Sequence, residues 1–139
     1  MNKRLTFRTI GMVLLVESAL MLVPLVVSLI CKSDDSLALL ISALLTACVG
    51  GGFTLLRPRN ENLRAREGFA IVALSWIFVS FFGAVPFVIH GCIPSMADAF
   101  FEIVSGFTTT GATILTDVES LPKGLLFWRS FTHWAGGMG

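Results

Sequence analysis

Thr108, Thr109, Thr110, Gly111, Ala112 and Thr113 form a run that is rich in oxygen and free of charge. Hydroxyls and backbone carbonyls of this kind suit a cation that must be held and then released, because several weak ligands can replace a hydration shell. Gly111 adds backbone freedom, since without a Cβ it reaches angles that aim a carbonyl where other residues cannot. Two ionisable residues flank the run on very apolar stretches: Glu102 in "FFEIV" and Arg129 in "GLLFWRSF". The three cysteines, Cys31, Cys48 and Cys92, lie far apart with no CxxC or Cys/His spacing. Neither a zinc site nor a disulfide scaffold is expected from them.

Composition says what must position this chemistry. Hydrophobic residues make up 55% of the 139 and charged residues only 14%, with mean hydropathy +0.83. A soluble domain carries about 25% charged residues, so a membrane protein is expected, with the lipid bilayer as its surroundings. Nothing in the sequence points to nucleic acid. Apolar runs of about 20 residues are long enough to cross a hydrocarbon core of about 30 Å as helix. Such runs cover about Thr9 to Ile30, Ser36 to Leu56 and Gly68 to Ile89, and another begins near Gly124. The first is too long for the apolar core of a secretion signal. The last ends in "WAGGMG", so the chain reads as the opening part of a longer protein.

Charge placement orients these spans. Lys3, Arg4 and Arg8 precede the first, and Arg57, Arg59, Arg64 and Arg66 fill the connection between the second and third. The positive-inside bias puts both segments in the cytoplasm and Asp34 and Asp35 outside. Residues His90 to Lys123 then start and finish on the external side. Within them, "PSMADAFFEIVSGF" reads as a helix from Met96 of about 11 residues, about 16 Å long. Ser95 and Asp98 have the spacing of a capping box, and Gly106 is expected to break the helix. Half a bilayer of helix followed by a polar turn is a re-entrant loop.

A polar turn at membrane depth survives only against protein or beside a wet cavity. Two readings follow for Thr108 to Thr113: a structural turn buried against protein, or a coordination site for a cation. The carboxyl end of the half-helix carries roughly half a negative charge and favours the second. "TTGAT" also keeps the first threonine and first glycine of the potassium-channel filter TVGYG, with Thr113 in place of the second glycine. For Glu102 and Arg129 three outcomes are open: a structural pair, outward snorkelling of Arg129, or a direct part in conduction. An isolated membrane charge costs roughly 2.5–3.5 kcal/mol, which favours pairing. Glu17, inside the first span, is expected to face the bundle and hydrogen-bond to a neighbouring helix. His90 and His133 read as interfacial or packing residues, and Gly136, Gly137 and Gly139 as sites of close helix packing.

With these residues in view, the chain resembles the amino-terminal part of the membrane subunit of Trk-type potassium uptake systems, in the Trk/Ktr/HKT superfamily. The resemblance is carried by "LSW" and "GAVPF" in the third span, "FFEIVSGFTTTGAT", and "LPKGLLFWRSFTHWAGGMG". It implies an all-α membrane protein, with two amino-terminal transmembrane helices in residues 1–60 and one helix–pore-loop–helix repeat in 61–139, its last helix incomplete. Thr108, Thr109, Thr110, Gly111 and Ala112 would be one quarter of a selectivity filter, with potassium held through Thr109, Thr110 and Gly111. Thr113, Glu102 and Arg129 would support the pore. The single filter glycine matches the superfamily's usual pattern. Implied partners are the remaining three repeats of a full-length subunit, a second copy in a homodimer, and a cytoplasmic nucleotide-binding regulatory subunit. Potassium would be the transported substrate, and no cofactor is expected. The location would be the inner (cytoplasmic) membrane, multi-pass, with the amino terminus cytoplasmic.

Two other functions fit parts of the sequence. A non-transporting membrane scaffold is possible for a naturally short chain. An intramembrane hydrolase would need a base near the threonines, and His133 stands without a G-x-S-x-G nucleophile turn. The chain is therefore not expected to be an enzyme.

Overall fold

The computed structural model describes residues 2–60, 62–116 and 118–138. Among these, five α-helices follow one another: α1 Lys3–Ile30, α2 Ser36–Thr54, α3 Ala65–His90, α4 Met96–Phe107 and α5 Lys123–Met138. A short 3-10 turn, Val118–Ser120, lies between the last two. No strand occurs among the described residues. Three helices, α1, α2 and α3, are long and apolar enough to cross a membrane. At 1.5 Å per residue, α1 is about 42 Å long, α2 about 28 Å and α3 about 39 Å. The 12 residues of α4 reach only about 18 Å.

The distribution of side chains identifies the solvent. Val16, Leu22, Leu29, Leu37, Leu44, Phe69 and Ile77 point outward, while Thr6, Glu17, Ser18, Ser28, Ser42, Thr46 and Ser80 are buried. In water this arrangement would expose the apolar face and bury the polar one. In a bilayer it is the stable solution, because lipid covers the leucines and the polar groups are kept from lipid between the helices. Ser18 Oγ donates to the Ala43 carbonyl of α2 at 2.8 Å. Ser42 and Thr46 donate back to the carbonyls of Ala38 and Ser42, each at 2.7 Å. The chain is an integral membrane protein.

Small residues decide how close α1 and α2 come. A Cβ on Gly11 would stand 2.6 Å from the Gly50 carbonyl oxygen, and one on Gly50 would stand 2.8 Å from that of Gly11. Only glycine at both positions allows this crossing. The core beyond it gathers Met21, Leu39, Ala84, Phe87, Ile103, Leu125 and Trp128 from all five helices. The amino-terminal pair is thus packed into the body that carries α4.

Some sequence expectations need correction. The helix from Met96 continues through Gly106 to Phe107, so Gly106 does not break it. Ser95 is the N-cap residue but makes no side-chain cap bond. Both Ser95 and Asp98 are exposed, where solvent can serve the free N–H groups of the first turn. Asp35, for which the sequence suggested only a side of the membrane, is fully buried. Its carboxylate accepts from Ser28 Oγ and from the Leu125 backbone N–H at 2.6 Å, capping α5 from across the chain. Leu121 and Pro122, immediately before α5, carry no side chain that could cap it.

Candidate functional site

The half-length helix α4 ends in a tight reversal. Thr108 N–H donates to the Val104 carbonyl at 2.9 Å and Thr109 N–H to that of Gly106 at 3.0 Å. Thr110 N–H donates to the Ser105 carbonyl at 3.0 Å. The last two bonds make a Schellman motif, whose reversing residue normally is glycine because it must be left-handed. Here it is Thr109, at φ 57°. A β-branched residue in that region is strained by about 1–2 kcal/mol. Gly111 follows at φ 77°, with nothing within 4 Å of where its Cβ would be. Two left-handed residues therefore sit on either side of Thr110, and the run from Thr108 to Thr113 is exposed. Backbone strain concentrated in an open loop is typical of functional segments.

Buried groups hold this strained loop from behind. Glu102, on the inner face of α4, is almost fully buried. Its Oε1 accepts from the Thr113 hydroxyl and from Ile114 N–H at 2.8 Å. Its Oε2 accepts from Arg129 Nε at 3.1 Å, and the Arg129 side chain is only 13% exposed. The structure therefore brings Glu102, Arg129 and Thr113 together. Arg129 offsets the carboxylate charge on one edge while the other edge orders the chain leaving the turn. Ser105 Oγ adds a bond to the Ala112 carbonyl at 2.6 Å. That carbonyl keeps a second lone pair.

Helix α5 backs the turn at close range. A Cβ on Gly136 would lie 2.0 Å from the Phe107 carbonyl oxygen. One on Gly106 would lie 2.2 Å from Thr132 Oγ1. The two glycines let the end of α4 seat directly on α5, and this close approach explains Gly106 where chain breaking does not. A Cβ on Gly137 would make only an ordinary contact with Thr109, and Gly139 lies outside the described residues. His133 Nδ1 lies 3.0 Å from the Arg129 carbonyl of its own helix. His90 Nε2 lies 3.3 Å from Asp34 Oδ1, a polar contact at the end of α3.

Glu17 departs from expectation. It is only 3% exposed, as a bundle-facing residue should be, yet neither carboxyl oxygen has a hydrogen-bond partner. The expected bond to a neighbouring helix is not made, because the groups facing it are apolar or already used. Its Oε1 would be 3.0 Å from a Cβ on Gly83, and the same point is 3.0 Å from Ile103. Gly83 itself accepts at its carbonyl from Trp128 Nε1 at 3.0 Å.

Comparison with known proteins adds the family. Residues 36–139 match the TrkH model, described as cation transport protein. The chain is 36% identical over 143 residues to the Trk system potassium uptake protein TrkH of Halomonas elongata, covering all of this chain and 29% of that protein. It is 38% identical over 131 residues to the Trk system potassium uptake protein TrkG of Escherichia coli strain K12, covering 93% and 27% respectively. The crystal structure of the potassium transporter TrkH from Vibrio parahaemolyticus superposes with a TM-score of 0.92 at 36% identity. That match covers all of this chain and 30% of the other. The chain thus spans a little under a third of the length of these relatives.

Proposed function

This chain belongs to the TrkH family of cation transport proteins, and from that premise we propose that it supplies one quarter of the selectivity filter of a potassium transporter. The observation that carries the reading is the paired left-handed geometry of Thr109 and Gly111 in an exposed loop held by a buried carboxylate. Alternation of backbone handedness turns successive peptide units over, which is a condition for presenting several carbonyls to one ion. Thr108, Thr109, Thr110, Gly111 and Ala112 are the proposed ligands, with potassium held through Thr109, Thr110 and Gly111. The α4 carboxyl end adds its partial negative charge.

Each remaining part has a physical task. Glu102 and Arg129 fix the loop from behind without placing a full charge on the ion path. Fixed geometry matters because discrimination between potassium and sodium depends on the number and field of the oxygens, or on cavity fit. In the proposed arrangement residues 1–60 form an amino-terminal pair and 61–139 the first pore repeat. Three further repeats complete the ring, and the subunit forms a homodimer with a cytoplasmic nucleotide-binding regulator. The protein lies in the inner membrane, amino terminus inward.

The test uses a potassium-uptake-deficient strain. Full-length protein is expected to restore potassium uptake, while residues 1–139 alone insert into the membrane but transport nothing, because one quarter of a ring coordinates no ion. Equal rescue by the fragment would contradict the quarter-filter reading. A full-length protein that inserts but never transports would favour a scaffold.

A further inference from the structure

The amino-terminal ends of α1 and α3 meet in a polar pocket that the transport reading leaves unused. Asn2 joins them: its backbone N–H donates to Glu67 Oε1 at 2.8 Å and its side-chain amide to the Asn60 carbonyl at 2.7 Å. Arg64 N–H reaches Glu67 Oε2 at 3.4 Å. The α2–α3 connection is thereby held against the start of α1. Between them lies an open cavity of about 480 Å³ lined by Asn2, Arg59, Asn60, Asn62, Arg64 and Glu67. Glu67 is held by backbone N–H groups and by the nearby Arg64 charge, while Arg59 and Asn62 also line the space.

Charge around the pocket is mostly positive. Arg59 and Arg64 line it with Glu67, and Lys3, Arg4, Arg8, Arg57 and Arg66 lie within a few residues of its lining in sequence. Large apolar side chains within a few residues of the pocket lining in sequence are exposed: Leu55 80%, Leu63 58% and Phe69 79%. Arginine next to exposed leucine and phenylalanine at the end of a membrane helix matches an amphiphile, with an anionic head and an apolar tail. A free phosphate would use the arginines alone.

We infer that this pocket binds the head group of an anionic phospholipid, with Arg59 and Arg64 on the phosphate and Leu55, Leu63 and Phe69 along the acyl chain. The proposed topology only names the leaflet, the cytoplasmic one; the binding itself does not depend on potassium. Basic residues at a membrane surface contribute about 1 kcal/mol each toward anionic lipid. Removing two should weaken the preference about 30-fold, at tenfold per 1.4 kcal/mol.

The experiment uses full-length protein in nanodiscs of phosphatidylcholine with and without phosphatidylglycerol, and counts co-purifying lipids by native mass spectrometry. Wild type is expected to retain phosphatidylglycerol over phosphatidylcholine. The Arg59→Gln/Arg64→Gln double variant loses that preference about 30-fold, while Arg59→Lys/Arg64→Lys and Lys123→Gln keep it. Thermal stability of each variant separates misfolding from lost binding. Equal retention of the two lipids by wild type overturns the inference. So does displacement of phosphatidylglycerol by millimolar inorganic phosphate, which would make the pocket a free-phosphate site. Loss of a regulatory partner from the double variant with unchanged lipid retention overturns it in favour of a protein interface. Potassium uptake measured in parallel shows whether the transport reading stands or falls separately.

Discussion

Replacing Glu102 by glutamine tests how the loop after α4 is held. The carboxylate accepts from Thr113, Ile114 and Arg129, and Arg129 lies on a helix 27 residues away in sequence. Glutamine keeps one acceptor oxygen and gains two N–H groups. Whichever way its amide turns, either Arg129 Nε or the Ile114 N–H meets another donor. A hydrogen bond to a charged group is worth about 1.5–3 kcal/mol, and a buried cation left without its partner costs about 3–5 kcal/mol. A destabilisation of about 3 kcal/mol is therefore expected, concentrated in the loop and its contact with α5. The assay is thermal unfolding of purified full-length protein in detergent, with potassium and sodium uptake at matched expression. Arg129→Gln is expected to lose a similar amount. The double variant Glu102→Gln/Arg129→Gln should recover much of the loss, since two amides can bond each other. Strict additivity of the single losses, or wild-type stability and ion preference in Glu102→Gln, would refute the clamp.

Asp35→Ala removes the cap on α5 and should cost about 1–2 kcal/mol, while Asp35→Asn, still an acceptor, should cost much less; equal losses in a thermal melt would contradict capping. Thr109→Gly relieves a left-handed threonine and should not lower the melting temperature, so a fall would remove the strain argument. A membrane-impermeant thiol reagent applied to intact cells should label single-cysteine variants of the full-length protein at Cys31 and Cys92 but not at Cys48. Labelling at 31 and 92 only after permeabilisation would reverse the proposed orientation.

The three long spans were legible because a bilayer demands about 20 apolar residues, and composition alone meets that demand or fails it. The half-helix and the closeness of Glu102 to Arg129 were also within reach, since two charges on apolar stretches have few places to go. Thr109 was not. Reading glycine as the left-handed residue pointed to Gly111, and nothing local marks a threonine as the reversing position of a Schellman motif. The capping role of Asp35 was not legible for a related reason: nothing in a short acidic loop marks one aspartate as the cap of a helix that arrives from a distant part of the chain. Gly11 and Gly50 gave no signal either, because close approach is a property of two helices and appears only when both are placed. Glu17 shows the opposite limit. Its burial followed from the span, but its lack of a partner depends on Gly83 and Ile103 lying opposite.

The most direct test of the proposed filter pairs two glycines that share a positive φ. Gly111 has φ 77° and Gly91 has φ 89°, and neither has an atom within 4 Å of the place a Cβ would occupy. Serine at either site meets the same left-handed strain, about 1–2 kcal/mol, without a packing clash. Gly91 ends α3, away from the threonine loop; Gly111 lies within it. The measurement is the ratio of potassium to sodium uptake by full-length Gly111→Ser and Gly91→Ser at matched membrane expression. The expected result is a lost potassium preference in Gly111→Ser and an unchanged ratio in Gly91→Ser. An unchanged ratio in Gly111→Ser would take this glycine out of the filter and leave the threonine loop a structural turn.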